Sequence, residues 1–172
     1  MVFAIKAGVS DLRAASFVFD RQKTMYGGKH IAAGDTIFVF ASENEGGPGL
    51  IARGVVTSAR TIPLKPGIER QTPRVSITVK RTALAQQRLG RAELKPFSAW
   101  NDGRPETELN FKYYRQATNK IVGLSAEAAA FLGRFFQAAE ICSGGLGSRT
   151  PANDPHRAPR RRPDPASGSR WH

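Results

Sequence analysis

The rhythm of apolar and polar positions changes several times along the chain, and each rhythm predicts an element. Val2-Phe3-Ala4-Ile5 is a short apolar run, read as a first strand. Leu12, Ala15, Ser16 and Phe19 fall at helical spacing behind Ser10-Asp11, which can cap a helix. Apolar runs at 36–42 and 50–60 predict two strands, separated by Gly46-Gly47-Pro48-Gly49. Pro63, Pro66 and Pro73 bracket a loop, after which Val75, Ile77 and Val79 alternate with Ser76, Thr78 and Lys80 as in a strand with one wet face. Leu84, Leu89 and Leu94 place a short helix over 83–95. Residues 109–116 alternate again and predict a strand, with Leu109, Phe111 and Tyr113 in the core, Lys112 and Tyr114 outward, and Arg115 near an edge. A last helix begins at Ser125, with Glu127 at the positive end of its dipole and a stripe of Ala128, Phe131, Leu132, Phe135, Phe136 and Ala139. Roughly five strands and two or three helices in this order favour a barrel-like sheet over a doubly wound one.

Residues 143–172 break every rhythm. Thirteen of these thirty residues are Gly, Pro or Ser, and only Leu146 and Trp171 are large and apolar. Such a segment buries too little surface to offset its ordering entropy, so residues 1–142 are read as the domain and 143–172 as a disordered basic tail. Arg157 and Arg160 to Arg162 give the tail loose phosphate contacts or simply keep it solvated.

Charge narrows the class of partner. The 172 residues carry 26 Lys/Arg against 14 Asp/Glu, a net charge of +12. The tail, with six arginines and two aspartates, supplies +4, so residues 1–142 are basic on their own at +8. A field of that sign favours polyanions, nucleic acid first among them. No apolar run is long enough to span a membrane, and residues 1–6 lack the form of a signal peptide. With Cys142 as the single cysteine, a disulfide framework and a cysteine-based zinc site are both excluded. The expected setting is a soluble, cytoplasmic protein with no cofactor.

Catalytic patterns are sparse. Of three histidines, His156 and His172 lie in the tail, which leaves His30 without a partner of metal-ligand spacing. Glu43 and Glu45 are read as flanking a solvated hairpin. The glycine loop at 46–49 precedes a strand, where a phosphate cradle requires a helix N-terminus. Binding patterns are richer. Phe97 and Trp100 stand in a turn-prone segment with Asp102, and Lys112, Tyr114 and Arg115 interleave aromatics with cations. Bases stack on aromatic faces while cations meet phosphates, a mixture that recurs in single-strand and flipped-base readers.

The segment Lys29-x-Ile31-x-x-Gly34-Asp35-x-Ile37-x-Val39, the glycine loop, and Gly49-Leu-Ile-Ala-Arg-Gly-Val-Val56 resemble the centre of the PUA-like superfamily, particularly its EVE-type domains. The later Lys112-Tyr-Tyr-Arg115 and Ile121-Val-Gly-Leu124 followed by a helix are similar to the ending of EVE-like proteins. The resemblance implies an α+β fold: a five- to six-stranded pseudo-barrel with two or three flanking helices and a pocket able to accept a modified nucleobase. Gly34, Asp35 and Gly54 match structural positions of the motif. The early tryptophan usual in EVE proteins is replaced here by Ala4-Ile5-Lys6-Ala7, which moves a caging aromatic to Phe17, Phe19, Tyr26 or Trp100. The related ASCH branch carries Gly-x-Lys-x-x-Glu-x-Arg; Gly27-Gly28-Lys29-His30 starts similarly, but the Glu and Arg do not follow at that spacing.

The expected function is nucleic-acid binding, DNA or RNA, with a modified or flipped base held between the Tyr26–His30 turn, the Phe97–Asp102 loop and the segment carrying Tyr114. Lys29, Arg53, Lys112 and Arg115 would meet phosphates; Trp100 or Tyr114 would stack. The alternatives are an ASCH-like hydrolase using Lys29 with Glu43 or Glu45, and a protein-interaction module of a defence or toxin–antitoxin system.

Overall fold

The structure, a computed structural model, describes residues 1–99, 101–116 and 119–137, without the side chains of residues 115 and 116. Trp100, the boundary at Cys142 and the tail 143–172 lie outside the described residues, as does the Arg115 side chain. Among the described residues six strands are present: β1 (Val2–Ala7), β2 (Ser16–Met25), β3 (Thr36–Ala41), β4 (Gly49–Ile62), β5 (Arg74–Leu84) and β6 (Lys120–Gly123). They close into a barrel in the order β1-β3-β4-β5-β2-β6, with β1–β3 and β2–β6 parallel and the other pairs antiparallel. Closure leaves no sheet edge open to another chain.

Two apolar cores explain the two kinds of strand sequence. Inside the barrel lie Phe3, Ile5, Ile37, Val39, Val75, Ile77 and Val79, among others. A second core forms where the outer faces of β1, β3 and β6 meet the helices, from Ala4, Phe38, Phe40, Leu94, Leu109, Tyr113, Val122 and Leu132. A strand covered on both faces reads as a continuous apolar run, as β3 does from Ile37 to Ala41; β5, wet outside, alternates. Phe40 and Tyr113 join the layers with ring centroids 4.9 Å apart.

Three predicted elements are corrected. The helix expected from Leu12 to Phe19 is the approach to β2 and its first residues. Phe17 and Phe19 point into the barrel with ring centroids 6.1 Å apart, while Val18 between them is 74% exposed. Pairing of Ser16–Phe19 with Ile77–Lys80 decides the matter, because tertiary pairing overrides a short helical spacing. The helix expected over 83–95 shrinks to α1 (Arg91–Leu94), since β5 continues to Leu84; Leu89 and Leu94 are buried. The strand expected over 109–116 is helical: α2 (Pro105–Asn110) continues into a π-helical turn, Phe111–Gln116. Pro105 opens that helix, a position where its missing N–H is of no consequence. The Asp102 carboxylate accepts from the Arg104 N–H (3.0 Å) and the Thr107 hydroxyl (2.9 Å). Leu109 and Tyr113 are buried as expected, but as residues four apart on one helical face; Phe111 is only half-buried.

The last helix, α3 (Ala126–Gly133), starts where the sequence places it, with Ser125 Oγ accepting from the Ala128 N–H at 3.1 Å. Gly34 and Gly54 shape the barrel for different reasons. Gly34 turns the chain with φ +95, and at Gly54 a Cβ would stand 2.5 Å from Val79 Cγ1 and 2.6 Å from the Lys80 carbonyl. Gly54→Ala forces β4 away from β5, and a loss of about 1–3 kcal/mol is expected in the free energy of denaturant unfolding.

Candidate nucleic-acid interface

β1 and β3 start at the end of the barrel where β2 and β6 finish. There β6 wedges between β1 and the turn after β2. Two glycines allow the approach: a Cβ on Gly28 would meet the Ile121 carbonyl at 2.2 Å, and one on Gly123 the Tyr26 carbonyl at 2.4 Å. The Gly123 N–H donates to that Tyr26 carbonyl at 3.2 Å. Tyr26 itself sits at φ 51, left-handed backbone that a bulky L-residue adopts only under constraint. The residue is 41% exposed and lines a cavity of about 510 Å³. Val2, Phe3 and Leu124 give this cavity apolar walls, and Tyr26, His30, Lys112 and Ser125 give it polar ones. The volume falls in the usual range for small-ligand sites.

Lys112 divides this cavity from a smaller one of about 280 Å³, lined by Asp102, Arg104, Thr107, Glu108 and Phe111. Its ammonium donates to Glu108 Oε1 and to the Gly123 carbonyl, both at 2.7 Å, and lies 4.9 Å from the Tyr26 ring centroid. Glu108 also accepts from the Ser125 N–H at 3.0 Å and from the Ser125 hydroxyl. One carboxylate thus ties together α2, the π-helical turn, the end of β6 and the cap of α3. Burial pushes the Glu108 carboxyl upward, but the hydrogen bonds from Lys112 and Ser125 outweigh it and hold the group below its ordinary value. At Asp102 the Arg104 N–H, then the Thr107 hydroxyl, do the same.

The predicted site residues separate into groups. Tyr26, His30 and Lys112 share the larger cavity, with Lys29 exposed beside it, and Asp102 joins Lys112 in the smaller one. Phe97 is half-buried, its carbonyl accepting from Asn110 Nδ2 at 2.8 Å. Arg53 lies elsewhere, its guanidinium 5.4 Å from the Phe136 ring. Phe17 and Phe19, offered as caging aromatics, are inside the barrel. Tyr114 is turned away from both cavities. Its hydroxyl donates to Glu43 Oε1 at 2.7 Å, and its ring carries the Lys6 ammonium at 4.2 Å and the Arg91 guanidinium at 5.5 Å.

Glu43 is therefore not a solvated hairpin residue. It is half-buried against Lys6, whose ammonium is fully buried 3.9 Å from Glu43 Oε2 and 3.4 Å from the Tyr113 carbonyl. Burial lowers the Lys6 pKa against the raising effect of Glu43. Burial also raises the Tyr114 hydroxyl far above its usual range, reinforced by the hydrogen bond to Glu43. Glu43 follows the finishing end of β3 and Lys29 that of β2, so the two stand at opposite ends of the barrel and share no site. No cluster of His, Cys, Asp and Glu suited to a metal occurs among the described residues.

Glu108 and Ser125 are the site residues that the strand reading of 109–116 concealed. Glu108 and Lys112 stand at i and i+4, a helical ion-pair spacing that becomes visible once Pro105 is read as a helix start.

A closed mixed barrel with helices packed on one side and a cavity at the β6 end is an α+β pseudo-barrel of the kind the sequence resemblance implies. Human THYN1 protein, in a crystal structure with 5-methylcytosine-containing DNA, shares this fold with a TM-score of 0.55 at 17% identity, over 80% of this chain and 98% of that one. The DUF55 domain of human thymocyte nuclear protein 1 gives 0.53 at 15% identity over 77% and 96%, and a Pseudomonas putida protein 0.54 at 14% over 80% and 100%. No family model matches the chain, and no curated protein does.

Glu108 gives the site a pH dependence with a definite sign. Because its folded-state pKa lies below the ordinary 4.5, its stabilisation is complete above that pH and is lost as pH falls through the depressed value. Glu108→Gln is expected to flatten the acid limb of a Tm–pH profile below pH 4.5 and to lose about 1–3 kcal/mol at neutral pH.

Proposed function

We propose that this chain is a nucleic-acid-binding module that receives a single base, modified or flipped from its stack, in the cavity between Tyr26 and β6. The observation that carries the reading is the strained Tyr26, its ring presented at the mouth of an apolar-walled cavity beside the Lys112 ammonium. An aromatic face stacks on a base of any identity, the apolar walls of Phe3 and Leu124 accept a methyl group, and the third N–H of the Lys112 ammonium offers a donor to a base edge. The +8 carried by residues 1–142 supplies the attraction to phosphate.

The likeness in fold to THYN1, seen with 5-methylcytosine DNA, supports DNA as the polymer and a methylated cytosine as the first base to test. The corresponding RNA is the comparison that decides between polymers. His30 and Lys29, exposed on the short 3₁₀ turn Gly28–His30 beside the cavity, stand where the flanking backbone would pass.

Fluorescence anisotropy with a short duplex carrying one 5-methylcytosine, and with its unmodified twin, tests the reading. Tighter binding to the modified duplex is expected. Tyr26→Ala should weaken it by about 1–3 kcal/mol, the range for one base–aromatic stack, and should erase the preference. Equal affinity for both duplexes, unmoved by Tyr26→Ala, would show that the cavity does not read a base. Tyr26→Gly is expected to keep the denaturation midpoint or raise it, because glycine relieves the left-handed strain as binding is lost.

A further inference from the structure

At the same end of the barrel, on the other side of β2 from the cavity, the structure holds a second recess that the base-reading site does not use. It has a volume of about 470 Å³ and lies between β2 and the loop 63–73. Arg21, Lys23, Lys65, Arg70 and Arg74 line it, and among the described residues no carboxylate does. Asp20 and Glu69 are the acidic neighbours in sequence. Asp20 is engaged, accepting from Ser76 Oγ at 2.6 Å and lying 3.9 Å from Arg21 Nε.

Three features show that the recess is built rather than incidental. The strand register sets Lys23 directly opposite Arg74 of β5 on one side and Lys120 of β6 on the other. Like charges directly opposite on adjacent strands are destabilising, so the fold tolerates a row of three cations that it would be more stable without. The β2 ladder is also interrupted between Phe19 and Gln22, with Arg21 at φ 48. That left-handed residue is fixed by its N–H to Ser76 Oγ at 3.0 Å and by Arg74 Nη1 to its carbonyl at 2.9 Å, a bulge that re-aims a side chain. Finally, the loop is pinned: the Gln71 side chain accepts from the Lys65 N–H at 2.8 Å and donates to the Lys65 and Ile68 carbonyls. Thr24 holds its far end through the Pro73 carbonyl, 2.8 Å from the Thr24 hydroxyl.

We propose that this recess grips the phosphodiester backbone of the same DNA whose base enters the Tyr26 cavity, so that the protein holds the strand at two places. The inference rests on the reading above and extends it to a surface with a separate task. Lys23 in β2 and Tyr26 just past its end are three residues apart, at most about 10 Å at about 3.3 Å per residue. Phosphates rise about 3.4 Å per step along one strand of a duplex, so the recess meets the backbone roughly three steps from the base in the cavity. Among the described residues no aromatic lines the recess, and its cations contact phosphate without reading sequence or modification.

The test compares a triple variant of the recess, Lys23→Thr/Lys65→Ala/Arg70→Ala, with a variant of equal charge loss elsewhere, Lys80→Ala/Arg88→Ala/Lys95→Ala. Both are titrated with methylated and unmethylated duplexes between about 50 and 200 mM salt. The recess variant should lower the slope of log K against log salt by about 0.9 per phosphate lost, hence about 2 to 3 in total, and leave the methylated-to-unmethylated ratio unchanged. The control variant should leave the slope as it was. Lys23→Thr alone should hold or raise the thermal midpoint while it weakens binding, since it dissolves the row of like charges. An unchanged slope in the recess variant, or an equal fall in the control, overturns the grip. If the grip stands but no methyl preference is found, only the base-reading proposal fails. If the wild-type chain binds no nucleic acid, both fail.

Discussion

A four-residue strand holds the molecule together. β6, Lys120–Gly123, is antiparallel to β1 and parallel to β2, and it turns an open five-stranded sheet into a barrel. Without it both edges would be free, and the Tyr26 turn and Lys112 would have nothing to meet across. The carbonyl of Gly123 accepts from Lys112 while its N–H donates to the Tyr26 carbonyl, so one residue of the closing strand fixes both sides of the cavity. The close contact is possible because Gly28 and Gly123 present no side chain there.

Closure also accounts for the helical layer. Once β1 and β3 are paired side by side, their outer faces form a flat apolar surface of Ala4, Phe38 and Phe40 that must be covered. α1, α2, the π-helical turn and α3 cover it. Lys6 stands on that same outer face, and its burial demands compensation. The Tyr114 ring, the Glu43 carboxylate and the Tyr113 carbonyl provide it. Burial, then the hydrogen bonds from Tyr114 and the Arg91 N–H, set opposing influences on Glu43, and the hydrogen bonds prevail to keep it ionised at a lower pKa than usual. The polar cluster pins the π-helical turn to the barrel on one side, which leaves Lys112, on the same turn, aimed at Glu108 and the cavity on the other. Tyr113 and Tyr114, adjacent in sequence, therefore pack into the core and into this cluster respectively.

How much could be read without coordinates follows from which signals are local. The alternation of Val75, Ile77 and Val79, the unbroken run of β3 and the Ser125 cap are local signals, and each element lies where the pattern places it. The motif resemblance led correctly to an α+β pseudo-barrel with flanking helices. The segments 12–19 and 109–116 were misread because few residues satisfied two periods at once. Leu109 and Tyr113 are two alternations apart in a strand and one turn apart in a helix. What separated these readings was the demand of neighbouring elements: β5 needed a partner at Phe17 and Phe19, and the outer face of β1 and β3 needed a helix.

The sequence by itself determined the basic character of the domain, most of its strands, its last helix and the fold class, because charge and periodicity are properties of the chain. It also supplied Tyr26, His30 and Lys112 as candidates. Only the tertiary structure decided that these three share one cavity, that Ser125 adds to its polar wall while Glu108 holds Lys112 and Ser125 from the smaller cavity, and that Tyr114 and Arg53 stand apart from it. The physical reason is closure. Residues from position 3 to position 125 become neighbours when β6 inserts between β1 and β2, and a pairing between strands about a hundred residues apart leaves no mark in the local pattern of either.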